Sequence, residues 1–118
     1  MVNIIEKIVC DNYNITPELL YTKSRKRAIC FPRQIIMYLL MLNNYTSISA
    51  GAVYDRDHAT ALHAKKTVLG LMDTDKNIKN RLQIIIDQIS NEKINEIVVQ
   101  DVNLLELTIS YSKSLIFI

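Results

Sequence analysis

Between Tyr54 and Lys66 the chain reads YDRDHATALHAKK, which gathers carboxylates, two histidines, a threonine and three cations in a short run. Side chains of these types serve metal ligation, acid–base catalysis or the reading of base edges in DNA, and their spacing separates the three. His58 and His63 are five positions apart, which on a helix is about 140° of rotation, so the rings diverge. Helical zinc pairs use spacings of three or four, which put both ligands on one face. No cysteine is close in sequence to complete a set, and no metal is expected. Catalysis has no more support. There is no GxSxG elbow and no Cys/His constellation of known type. With Gly51 and Gly70 as the sole glycines, the GxxxxGK[ST] phosphate loop is missing too. The reading is of a chain that is no enzyme, binds no nucleotide and needs no cofactor.

Base recognition uses every part of the run. Thr46 or Ser47 can cap a short helix over SISAGAVY, Asp55-Arg56 form a turn, and Asp57 caps a longer helix from His58 to about Leu71. A short helix, a tight turn and a longer helix with a polar start make a helix-turn-helix, whose second helix offers its first residues to the major groove. Those residues are Asp57, His58, Ala59 and Thr60. Asp accepts from cytosine N4, His bonds a base edge and Ala touches a thymine methyl. Asp57 can cap the helix and contact a base together, because a carboxylate has lone pairs for both. His63, Lys65 and Lys66, further along, suit phosphates.

The elements that must hold this helix are legible on either side. Ile4, Ile5, Ile8 and Val9 recur at helical spacing over residues 2–13, and Thr16-Pro17 open a short second helix. YTKSRKRAICFPRQ follows, with Lys23, Arg25, Lys26, Arg27 and Arg33 and no acid. Pro32 can open the next helix, RQIIMYLLMLNN, whose apolar residues cover most of its circumference and mark it as the central one. Asn43 and Asn44 are its expected terminators. Asp75 or Asn77 starts a further helix with Ile78, Leu82, Ile85, Ile86 and Ile89 on one face. Beyond Asn91 the pattern fits helix first and then an extended tail ending in SLIFI.

Composition agrees with one α-helical domain. The chain has 118 residues, 49% of them hydrophobic, enough for one core, and its two glycines and two prolines favour long helices over strands and turns. Residues 1–70 hold nine Lys/Arg against five Asp/Glu, a balance of +4, while 71–118 hold five against seven, a balance of −2. An acid-binding surface therefore belongs to the first part. Cys10 and Cys30 read as reduced thiols, no signal peptide is visible, and IIMYLLML is too short to span a bilayer, so a cytoplasmic protein is expected.

KSRKRAICFPRQIIMYLL, followed by SISAGAVYDRDHATALHAKK, closely resembles the C-terminal DNA-binding domain (domain IV) of the bacterial replication initiator DnaA. The likeness covers about residues 2–90, and its core is the RDH-x-T-x-LHA pattern. It implies an all-α, Trp-repressor-like multi-helix bundle over 1–90, leaving 91–118 as an extension. It also implies that Arg25 enters the minor groove and that Asp57 and His58, with Ala59 beside them, meet base edges. Arg33, Gln34, Ser47, Thr60 and His63 match positions at or near phosphates, where Lys23, Arg27, Arg56, Lys65 and Lys66 would join them. The target would be an asymmetric A·T-rich box.

There are departures. Ala59 replaces a threonine, Ala50 a larger aliphatic residue, and VYDRDH an aromatic-plus-glycine turn. The family's ATPase module does not precede the domain in these residues, so the expectation is a stand-alone binder of double-stranded DNA. It would act in replication-origin recognition or regulation, marking an origin on a phage, plasmid or mobile element, competing with the host initiator for its boxes, or acting as a repressor. The competing reading is a protein-interaction module or repressor with altered or lost box specificity. Ala59 and the apolar NLLELTISYSKSLIFI motivate it: such a tail must pack on the domain's own core or against a partner, a homodimer through 91–118 being one such arrangement.

Overall fold

Six helices follow one another in a computed structural model that describes residues 1–100, with side chains as far as Lys93. No strand occurs among them, so the all-α expectation holds for the described residues. The first helix, α1 (Val2–Tyr13), buries Ile5, Ile8 and Val9 and ends at Asn14, whose φ of 55° lies in the left-handed region that asparagine tolerates. Pro17 opens α2 (Pro17–Leu20), where its missing N–H costs nothing.

The central helix, α3 (Arg27–Leu42), buries every residue from Ile35 to Leu40. It begins five positions before the proline expected to open it, so Pro32 lies inside it. The bond that Pro32 cannot donate would have gone to the carbonyl of Ala28, an exposed residue in the first turn, where water can replace it. The basic run is thereby divided: Lys23 to Lys26 lie in a loop, and Arg27 opens the helix. The C-terminus is as expected. Asn43 Nδ2 donates to the Leu39 carbonyl at 2.7 Å, and Asn44 takes a φ of 71°.

The short α4 (Ser47–Ala52) is capped by Thr46, whose side chain accepts from the Ser49 N–H. The longer α5 (His58–Thr74) is capped by Asp57 and runs three residues past Leu71. Between them Asp55 turns the chain at a φ of 54°. The two helices meet so closely that a Cβ on Gly51 would lie 2.7 Å from the backbone oxygens of both Arg56 and Asp57. Only glycine fits there.

Asp75 accepts from the N–H groups of Asn77 and Ile78 and starts α6 (Lys76–Gln100), which buries Leu82, Ile85 and Ile89. The helix crosses residue 90 without a break. The extended tail expected after it, and most of the segment to which a homodimer was assigned, lie outside the described residues.

The core joins Ile5 and Val9 of α1, Ile35 to Leu40 of α3, Ala61, Ala64 and Val68 of α5, and Leu82 and Ile85 of α6. Helix α5 buries only small or β-branched residues, which lets it approach α3 closely and keeps its other face outside. Both cysteines are free thiols, and burial, aided by the Glu6 charge, pushes the Cys10 thiol up to about 11. Among the described residues no helix is long and apolar enough to cross a membrane, and no cluster of three metal-ligating side chains occurs.

Candidate nucleic-acid interface

The first turn of α5 stands clear of the protein: Asp57, His58, Ala59 and Thr60 are all exposed, while Ala61, the next residue, is buried. Asp57 Oδ1 accepts from the Thr60 N–H at 2.8 Å and from the Thr60 hydroxyl at 2.7 Å. These bonds, the hydroxyl's first, hold the carboxyl below its ordinary range, so it stays an anion and an acceptor. Both use one oxygen, which leaves Oδ2 for a further donor. The Thr60 hydroxyl proton is thereby turned to Asp57, and must rotate away before it can serve a phosphate.

Further along the same outward face lie Leu62, His63, Lys65 and Lys66, all exposed. The His63 ring reaches only the Thr67 hydroxyl, at 3.5 Å.

Beside this helix the loop of residues 21–26 and the front of α3 enclose an open concavity of about 590 Å³. Lys23, Arg25, Arg33 and Arg56 line it, joined by Gln34, Thr60 and His63, and no carboxylate is among the lining residues. The structure thus brings seven of the expected residues to one place. Asp57, His58 and Ala59 stand at the adjacent helix start, and Ser47, half-buried, opens α4. Arg27 is set apart: its guanidinium lies 5.0 Å above the Phe31 ring on α3.

Arg33 departs most from a surface phosphate ligand, being only 4% exposed. Its Nε donates to the Leu20 carbonyl at 2.9 Å, Nη2 to Thr22 at 2.9 Å and Nη1 to Ser24 at 3.3 Å. Burial, then the nearby Arg56 charge, lowers its affinity for the proton, and the three carbonyl dipoles offset that cost. Arg56 Nη1 donates to the Tyr54 carbonyl at 2.8 Å, and Nη2 reaches the Thr22 carbonyl at 3.4 Å.

Sequence reasoning passed over a second group. Glu6, 6% exposed, accepts on Oε1 from Tyr21 at 2.5 Å and from Tyr54 at 2.8 Å, and the two rings lie 5.1 Å apart. Its one signal was an acid beside Ile5, with the apolar Val2, Val9 and Cys10 three or four positions away on the same helix.

The chain matches the family described as the bacterial DnaA protein helix-turn-helix over residues 2–68. It belongs to that family. The DnaA helix-turn-helix is a DNA-binding domain that performs no catalysis of its own, and this chain is one. It is similar to the chromosomal replication initiator protein DnaA of Bacteroides thetaiotaomicron, 41% identical over 85 residues, which are 69% of this chain and 18% of that protein. The same initiator from Flavobacterium psychrophilum is 36% identical over 91 residues, 75% of this chain and 19% of the relative. In Desulfatibacillum aliphaticivorans the identity is 48% over 62 residues, 52% of this chain and 14% of the relative. The chain thus spans less than a fifth of the length of these curated DnaA relatives.

Proposed function

We propose that the domain recognises a short, A·T-rich, asymmetric duplex site, like a DnaA box, by reading both grooves at once. The observation that carries this reading is the acid-free, cation-lined concavity set against the polar first turn of α5. In the major groove Asp57 accepts from a cytosine amino group, His58 bonds a base edge and Ala59 offers a methyl to thymine. In the minor groove Arg25, exposed on the loop, enters where A·T pairs narrow the groove and deepen its negative potential. Lys23, Arg27, Gln34, Ser47, Thr60, His63, Lys65 and Lys66 hold the phosphates and set register without carrying sequence information. The DNA-binding unit comprises residues 1–90. Its role is origin recognition or regulation of replication, supported by the initiators it resembles.

Selection of bound duplexes from a random pool tests this. The expected outcome is enrichment of an A·T-rich asymmetric box. Enrichment of an inverted repeat indicates a dimeric regulator, and no enrichment at all overturns specific readout in favour of an interaction module.

A further inference from the structure

Loop 21–26 has no regular secondary structure. Its ends are fixed to the flanking helices, by the Thr22 hydroxyl to the Leu19 carbonyl at 2.7 Å and the Cys30 N–H to the Lys26 carbonyl at 2.8 Å, but the bonds within it are long: Ser24 N–H to the Thr22 hydroxyl at 3.4 Å and Lys26 N–H to the Ser24 hydroxyl at 3.3 Å. Left to these, the backbone carrying Arg25 would sample many conformations, and ordering it on DNA would reduce affinity. The protein supplies the order from outside. Thr22 and Ser24, alternate residues, turn their carbonyls to the buried Arg33 guanidinium, while Lys23 and Arg25 remain exposed.

The Thr22 carbonyl also accepts from Arg56, using its second lone pair. Arg56 immediately precedes the Asp57 cap of the reading helix. A parallel tie runs one residue earlier on the loop, where Tyr21 shares Glu6 with Tyr54 of the turn. Residues 21–22 and 54–56 are therefore joined twice, once through a carbonyl and once through a carboxylate.

We infer that Arg33 and Arg56 are positioning residues, which through the Thr22 carbonyl lock the loop bearing Arg25 in register with the first turn of α5. This rests on the two-groove reading above. It gives the two arginines a different task from a phosphate ligand: they set the distance between the minor-groove and major-groove readers, and so the length of box the domain accepts.

Charge-preserving variants separate the tasks, since lysine keeps the charge but offers its donors from one point instead of the spread fork that spans the Leu20, Thr22 and Ser24 carbonyls. Arg33→Lys and Arg56→Lys should weaken the selected duplex roughly tenfold more than a scrambled one, the size of coupling expected within one hydrogen-bonded network. That excess should vanish in an Arg25→Ala background and persist in a His58→Ala background. In the free protein, amide exchange over residues 22–26 should accelerate while the cores of α1 and α6 stay protected. Arg56, only half-buried, carries the test if Arg33→Lys fails to fold. Unchanged exchange in the loop overturns the inference. So do losses equal on both duplexes or additive with Arg25→Ala. The exchange measurement needs no DNA, so a failure of loop anchoring is distinguishable from a failure of box recognition.

Discussion

Glu6 on α1 and Tyr54 in the helix-turn-helix are 48 positions apart in sequence and 2.8 Å apart in space, tyrosine hydroxyl to carboxylate. The bond is buried and ties the first helix to the turn that aims α5. Removing the hydroxyl in Tyr54→Phe leaves the carboxylate with Tyr21 alone, and should cost about 1–3 kcal/mol in urea unfolding.

The same carboxylate governs the tyrosines at high pH. The hydrogen bond to Glu6, then burial, pushes Tyr21 up to about 12, and burial, then the Glu6 bond, raises Tyr54 further. A folded value above the unfolded one of about 10 means stability that is complete below pH 10 and lost as pH rises through the folded value. Burial raises Tyr13 and Tyr38 as well, so ultraviolet titration should show Tyr21 and Tyr54 among the late-ionising tyrosines, and unfolding midpoints should fall above pH 10. In Glu6→Gln the Tyr21 titration should move down toward 10.

Gly51 and Gly70 make opposite predictions for the same substitution. A methyl group at Gly51 meets two backbone oxygens at 2.7 Å, so Gly51→Ala should destabilise by about 1–3 kcal/mol as α4 is forced off α5. Gly70 has nothing within 4 Å of the added carbon and lies inside a helix, so Gly70→Ala should stabilise by about 0.5–1 kcal/mol. Thermal melts of the two variants, read at one protein concentration, check both signs.

What was legible in the sequence was local. Asp57 and Thr46 cap their helices because a short acceptor preceding an apolar-periodic segment has only nearby N–H groups to serve. Asn43 ends α3 for a related reason, bonding back to Leu39. Pro32 lies inside α3 and not at its start, since a proline within the first turns is tolerated wherever the orphaned carbonyl four residues back reaches water, and the sequence does not show that Ala28 is exposed. Arg33 looks like one more cation of a basic run, and its burial follows only from the path of the loop around it. Glu6 has partners 15 and 48 positions away, which no periodicity encodes.

Asp57 tests whether capping and reading are separable. Its carboxyl is held below the ordinary range by Thr60, so the cap's contribution should be present above pH 4 and decline as pH falls through the lowered value. Asp57→Asn keeps an acceptor for the Thr60 N–H but adds donors where cytosine N4 would donate. Circular dichroism should show its helix retained, while a binding-site selection shifts at the pair Asp57 contacts. Loss of helix in Asp57→Asn, or an unshifted selection, would mean that the carboxylate is needed for the cap alone.

Base readers and phosphate ligands differ in what their removal does. Arg25→Ala and His58→Ala should each cost about 1–3 kcal/mol on the preferred duplex and relax selectivity at the positions they touch. Lys65 and Lys66 sit on the same exposed face of α5 but lower down. Lys65→Ala and Lys66→Ala should each weaken every duplex alike and reduce the slope of log affinity against log salt by about 0.9 for each phosphate no longer neutralised. Anisotropy titrations on selected and scrambled duplexes across a salt series measure both effects. Equal losses on the two duplexes for Arg25→Ala and His58→Ala would reduce the proposed readers to electrostatic ligands and leave the concavity as a general polyanion site.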